Sequence, residues 1–273
     1  MSASEAPRRI VVTGSADGLG LELARQLAAA GHLVVVHGRD EHRAEQARDA
    51  VPGALNAVAG DLASVAQTRA LAEQISRLGP FHAVVHNAAV GFRDARLLTG
   101  DGIEHVFAIN VLAPYVLTCL VPAPPRLIYL SSGLHRQGDP EPADLSWERR
   151  AWNGMQAYSD SKLYDVMLAF AVARLWPQTL SNAVEPGWIA TKMGGAGAPG
   201  DLAQGVATQL WLVTSDDPAA TVRGELFHDR RRQPAHGAAG DIERQERLLD
   251  VCEQISGVHF PGRDEKVVGS EVL

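Results

Sequence analysis

Cysteine and lysine are scarce in this 273-residue chain, and several kinds of segment are missing. Two cysteines, Cys119 and Cys252, build no disulfide framework, and Cys119, in an apolar helical stretch, reads as a packing residue. No run approaches the ~18 uninterrupted apolar residues of a membrane span. The short polar start, Met1 to Arg9, has no signal-peptide pattern and no apolar anchor, so the expected location is the cytoplasm. A net charge of −7 leaves no basic excess for nucleic acid or an anionic membrane. Arg230-Arg231-Arg232 reads as a solvated loop. His82 and His86 share one face of a strand candidate, but no further ligand is spaced near them, so a metal site is not expected. There is no internal repeat and no second domain.

What is present is an alternation of strand-like and helix-like stretches with short breaks, which predicts an α/β fold with a doubly wound parallel sheet of about seven strands. Strand candidates are Ile10–Thr13, Leu33–His37, Ala54–Val58, Ala83–His86, Leu127–Leu130, Leu180–Val184 and Gly224–Phe227. Helical stretches lie near 19–30, 41–50, 64–78, 101–120, 157–176 and 201–214. At 46% hydrophobic content one domain over residues 1–273 has a full core, with an irregular tail over 257–273. Open sheets of this kind bind ligands outside the carboxyl ends of the strands. Gly14, Arg39, Asp61, Asn87, Ser132 and Pro186 each fall just after a strand, on that edge.

Two constellations carry chemistry. In the first, strand Ile10-Val11-Val12 runs through Thr13-Gly14-Ser15-Ala16-Asp17-Gly18-Leu19-Gly20 into a helix whose Leu19, Leu23 and Leu27 recur on one face. Gly14 permits a tight turn, Gly18 a close approach to a pyrophosphate, and Gly20 close helix–strand packing. The helix N-terminus offers unpaired N–H groups to phosphates. The glycine spacing is not the generic dinucleotide fingerprint. In the second, Tyr158 and Lys162 stand one helical turn apart and face the same space. A free phenol, with a pKa of about 10, is a poor proton relay at neutral pH, and a nearby ammonium favours its ionised form. Four tyrosines and three lysines would give about 0.04 such pairs by chance.

Thr13-Gly14-xxx-Gly18-x-Gly20, Asn87-Ala88-Ala89, Asn110, Ser131-Ser132, Tyr158-xxx-Lys162 and Glu185-Pro186-Gly187 occur in this order between about Arg9 and Phe227. The chain thereby resembles the short-chain dehydrogenase/reductase family. The stretch from Ser132 through Trp152 to Tyr158 resembles the branch of retinol dehydrogenases and related carbonyl reductases. The resemblance implies a Rossmann-type domain that moves a hydride between NAD(P)(H) and a small-molecule carbonyl/alcohol pair. It implies Tyr158 as the proton relay and Ser132, rather than Ser131, as the anchor of the substrate oxygen. Lys162 would lower the tyrosine pKa and bond the nicotinamide ribose, and Asn110 would bend a helix and hold a water joined to the lysine. Ser132 and Tyr158 stand further apart than in the simplest relatives, so an inserted loop lies between them.

Cofactor contacts implied by the family fall on Gly14, Ser15, Asp17, Gly18, Leu19, Gly20, Asp61, Leu62, Asn87, Ala88, Ala89, Tyr158, Lys162, Pro186, Gly187 and Thr191. At the end of the second strand, Gly38 stands where NAD-preferring relatives carry an acid. Arg39 can bond a 2′-phosphate bidentately, or pair with Asp40 or Asp17 instead. NADP(H) is therefore the preferred cofactor, without exclusion of NAD(H), because Asp17 opposes the phosphate. The glycine-rich Gly194–Gly200 reads as a lid. Leu134, Trp152, Trp188 and Met193 suggest an apolar pocket wall. His135 reads as a loop residue. A homodimer or homotetramer through helices 101–120 and 157–176 is expected, since both are apolar on more than one face. A cofactor-sensing regulator, or a sugar-nucleotide epimerase or dehydratase, are the alternative classes. The first has no need of the proton relay, and the second calls for a sizeable C-terminal domain.

Overall fold

The computed structural model describes residues 6–92 and 95–263. Its centre is an eight-stranded sheet in the order β3-β2-β1-β4-β5-β6-β7-β8. The strands are β1 Arg9–Val12, β2 Leu33–Gly38, β3 Asn56–Ala59, β4 Ala83–His86, β5 Arg126–Leu130, β6 Leu180–Val184, β7 Leu226–His228 and β8 Arg231–Gln233. The first seven pair in parallel and β8 folds back antiparallel on β7. Seven strands were expected. The eighth is the segment read as a solvated basic loop; Arg231 and Arg232 are exposed on an edge that needs no apolar alternation.

The helices are α1 Gly18–Ala29, α2 Glu41–Ala50, α3 Val65–Leu78, α4 His105–Phe107, α5 Ala113–Leu120, α6 Gly154–Leu175, α7 Leu202–Thr214 and α8 Ile242–Ser256. Short strands such as Ile10-Val11-Val12 are apolar on both faces because helices cover both faces of a parallel sheet. Ile10 and Val12 pack into one core with Leu23, Leu27 and Val213, from α1 and α7. Val11 faces the other, larger core with Leu71, Tyr115, Met167 and Leu249, from α3, α5, α6 and α8.

The expected helix over 101–120 is two α-helical pieces, α4 and α5, joined by a π-helical turn at Ala108–Leu112 that carries Asn110. An extra residue in a turn of this kind bulges the helix and recurs at functional sites. Helix α8 was not anticipated; Leu248, Leu249 and Cys252 pin it against α6. Leu163, Val166 and Met167 of α6, read from the sequence as part of an oligomer face, are buried inside the chain. From Gly257 to Arg263 the chain is irregular, and the rest of the expected tail, 264–273, lies outside the described residues.

Candidate active site

The glycine loop is shaped by close contacts at the carboxyl ends of β1 and β4. Gly14 has φ +62°, and a Cβ there would stand 2.7 Å from Ala88 Cα. A Cβ on Gly20 would meet Asn87 Nδ2 and the Gly14 carbonyl, each at 2.4 Å. Thr13 Oγ1 accepts the N–H groups of Asn87 and Ala88, both at 3.0 Å, and Asn87 Nδ2 donates to Thr13 O at 2.9 Å. Asn87 Oδ1 is buried with no hydrogen-bond partner. Asp17, at the N-cap of α1, makes no side-chain cap bond to the helix, which leaves the first-turn N–H groups to an outside acceptor. A cradle that only glycine permits, beside a helix end with no side-chain cap, fits a dinucleotide phosphate, while the orphaned Asn87 Oδ1 is an acceptor and suits a donor group of the ligand, not the phosphate.

His37 holds this loop and was overlooked in the sequence, where it read as the last strand residue. Its Nδ1 accepts from Gly14 N at 2.9 Å and its Nε2 faces Gly60 O at 2.9 Å, so the proton sits on Nε2. One imidazole thus ties the loop after β1 to the end of β3. Burial pushes its pKa below the ordinary value, which suits a ring that must keep Nδ1 as an acceptor. The Ser15 hydroxyl accepts from His37 N at 2.7 Å and donates to Val12 O at 2.9 Å. Ser15 N also donates to His37 O at 3.1 Å and the residue is fully buried, so Ser15, expected as a cofactor contact, is committed to the strands. Leu62 likewise belongs to the core, while Asp61 Oδ1 accepts from Ala63 N at 2.9 Å.

At the end of β2, a Cβ on Gly38 would lie 2.2 Å from Ala44 N. Helix α2 leaves no room for the acid that NAD-preferring relatives carry. The Arg39 side chain is 76% exposed and touches Asp40 at 3.4 Å, one of the two expected pairings. Asp17 takes Arg43 at 2.8 Å and Lys192 at 3.1 Å instead. Arg43, one turn into α2, is a second cation on this rim that sequence reasoning missed. The Lys192 contact brings the segment after β6 across the glycine loop, and Thr191 Cγ2 lies 3.7 Å from where a Gly18 Cβ would be. Gly187 keeps a positive φ beside His228 in the same segment.

Tyr158 and Lys162 share one face of α6, with the Lys162 ammonium 5.7 Å from the phenol ring centroid. Lys162 Nζ donates to Leu130 O and to Asp165 Oδ2, each at 2.8 Å. The sequence reading stopped at Lys162, although Asp165 falls on the same face. Asn110 Oδ1 accepts from Val90 N at 2.8 Å, while its Nδ2 donates to Val90 O and to Ser161 Oγ, each at 3.0 Å. The π-turn therefore joins the loop after β4 to α6.

Ser131 and Ser132 part company. Ser131 Oγ is buried and donates to Lys162 O at 2.7 Å; Ser132 caps the short 3-10 turn Gly133–Gln137, accepting from Leu134 N at only 3.3 Å. His135 is fully buried rather than a free loop residue, and its Nδ1–H donates to Ser132 O at 2.7 Å. The inserted loop is anchored to α6 by Asp160, which accepts from Asp139 N at 2.7 Å and pairs with Arg150 at 3.0 Å.

The mouth is apolar. Tyr158 Oη lies 3.9 Å from Met193 Sδ, and the Phe92 ring stands edge-on to the phenol at 6.5 Å. Phe92, Met155, Trp188 and Met193 are all exposed. Of the residues expected to line the wall, Trp152 packs on Trp147 instead, ring to ring at 5.2 Å.

Comparison with known proteins gives the family. The family profile described as short chain dehydrogenase matches residues 8–125. An uncharacterized oxidoreductase of Emericella nidulans is 41% identical over 93% of this chain and 99% of its own. The chain belongs to the short-chain dehydrogenase/reductase family. A short-chain dehydrogenase of Penicillium rubens is 39% identical, again over 93% of this chain and 99% of its own. Among solved structures of the family's fold, a blue fluorescent protein from a metagenomic library, in complex with NADPH, is 26% identical. It has a TM-score of 0.65 and covers 82% of this chain and 97% of that one. This short-chain dehydrogenase/reductase is an oxidoreductase of small molecules. Among its described residues no helix is long and apolar enough to cross a membrane, and no group of three His, Cys, Asp or Glu is placed to hold a metal.

Proposed function

We propose that the protein transfers a hydride between NADP(H), taken in preference to NAD(H), and an apolar aldehyde, ketone or secondary alcohol, with Tyr158 as the general acid/base. The observation that carries this reading is the position of Tyr158: its hydroxyl opens onto an apolar mouth while its ring stands over a buried ammonium. The cofactor, when bound, supplies or accepts the hydride. In reduction Tyr158 gives its proton to the carbonyl oxygen; in oxidation it takes the alcohol's proton. Ser132, whose hydroxyl has only a long bond at 3.3 Å to give up, is the second hydrogen-bonding group for that oxygen. Ser131 is already committed to the helix backbone. Phe92 and Met193, which flank the phenol, favour an apolar substrate. Arg39, Arg43 and Lys192 form the cationic rim that recognises the 2′-phosphate, and the first turn of α1 takes the pyrophosphate.

Tyr158→Phe is the direct test. The variant should bind NADPH within about twofold of wild type while losing at least about 90% of turnover on a panel of aldehydes, ketones and secondary alcohols. Retained turnover would remove Tyr158 from the chemistry. Lys162→Ala should lower both rate and cofactor affinity.

A further inference from the structure

On α6, positions 158, 162 and 165 follow the i, i+4, i+7 spacing of one helix face. Lys162 Nζ and Asp165 Oδ2 are 2.8 Å apart, and the two side chains are only 3% and 4% exposed. The carbonyl of Leu130, at the end of β5, takes a second Nζ proton. A buried ion pair contributes little net stability compared with apolar residues of similar volume. Its position directly behind the proton-relay tyrosine gives it a different use.

We propose that Asp165 is a positioning residue, whose carboxylate holds Lys162 Nζ behind Tyr158 and, through the net charge of the pair, sets the pH at which Tyr158 gives up its proton. The inference rests on the reading of Tyr158 given above. A lone ammonium favours the phenolate strongly; an ammonium cancelled by a carboxylate favours it less. Burial pushes the Asp165 carboxyl up to about 6, against the pull of Lys162. The other titratable groups facing this pair come from three elements. Tyr129 of β5 has its phenol pushed up by burial and, in smaller part, by Asp165. His86 of β4 stacks on Tyr129 at 4.8 Å and is kept neutral by burial, which lowers it to about 3. Cys119 of α5 has its thiol raised to about 12 by burial. These three stay uncharged around neutrality, so there the charge behind Tyr158 is set by Lys162 and Asp165 together.

Asp165→Asn keeps the size and an acceptor for Nζ while removing the charge. Seven residues of helix separate the group from Tyr158, a rise of about 10 Å. Deleting a negative charge at that range lowers the first proton loss of the Tyr158–Lys162 pair by about one pH unit. Phenolate absorbance reads this without turnover. Burial pushes the phenols of Tyr115, Tyr129 and Tyr164 above the ordinary range, so the phase that Tyr158→Phe removes belongs to Tyr158. The expected result is an acid shift of about one unit in that midpoint, matched by the rising limb of the alcohol-oxidation rate. Wild type and variant should converge below about pH 6, where Asp165 is protonated. Asp165→Leu, which fills the site with an apolar side chain, must shift the midpoint the same way. An unmoved midpoint in whichever variant folds overturns the proposal, and so does a low-pH phenolate phase that survives Tyr158→Phe. Undiminished turnover in Tyr158→Phe would instead sink the catalytic reading and leave the midpoint measurement intact.

Discussion

Asp17→Asn should tighten NADPH binding. The Asp17 carboxylate is half-exposed and takes Arg43 at 2.8 Å and Lys192 at 3.1 Å. A 2′-phosphate carrying close to two negative charges must draw the same cations away from it. Exposed ion pairs are worth about 0.2–1 kcal/mol each, so releasing two costs the cofactor about 1 kcal/mol, or about fivefold in affinity. Asparagine keeps the side-chain volume and removes both this competition and the direct repulsion. The NADPH dissociation constant should therefore fall about fivefold, and that of NADH by less than about twofold. Arg39→Ala should act in the opposite direction, because a charge-assisted arginine–phosphate bond is worth about 1.5–3 kcal/mol, roughly tenfold to hundredfold. Fluorescence titration with both cofactors at two ionic strengths measures these effects, and the NADPH advantage should shrink as salt rises. Equal changes for the two cofactors, or weaker NADPH binding by Asp17→Asn, would refute the reasoning and make Asp17 a structural tie between the glycine loop and the segment after β6.

Acid should destabilise the fold through His86. Burial lowers this imidazole from 6.5 to about 3, so over that range the unfolded chain binds a proton that the native state does not. Stability present above pH 6.5 is lost as pH falls toward 3, by up to about 5 kcal/mol. Asp165, raised from 3.8 to about 6, works with the opposite sign between those values. His86→Phe should flatten the fall of the urea midpoint with pH, and an unchanged slope would show that His86 does not carry it. A homodimer or homotetramer through the helical stretches 101–120 and 157–176 would have to use what they still expose, such as Leu120 at 38%. Light scattering at micromolar concentration that finds only a 29.2 kDa species would rule it out.

The inner strands β1, β2, β4 and β5 were legible because they are short, mostly apolar runs buried on both faces. Strand β8 escaped because Arg231 and Arg232 point into solvent from an edge, where no apolar pattern is required. Helix α8 escaped although Leu248, Leu249 and Cys252 carry its apolar stripe. Candidate site residues with a fixed spacing, Tyr158 and Lys162 above all, could be singled out in the sequence, and the structure puts these two on one helix face. Those that act through a fold contact could not. His37 meets Gly14 across 23 positions and Gly60 across another 23. Arg43 meets Asp17 across 26. Asp165 was within reach, as the next step along the same helix face, and only its burial shows that it is paired.

Gly38 bears on how freely cofactor choice could drift. Helix α2 rests on it so closely that even a methyl group would overlap the backbone at Ala44. The acid that would grip the two ribose hydroxyls of NAD is thus closed to a single replacement at this position. A change of preference would need α2 to be lifted and repacked first, through intermediates less stable than either end point. Selection would have to act instead on exposed neighbours such as Arg39, where a replacement disturbs no packing. If the proposed NADP(H) preference holds, it is guarded by the close approach of the Gly38 and Ala44 backbones, which makes it slow to reverse in evolution and a poor target for one-residue redesign.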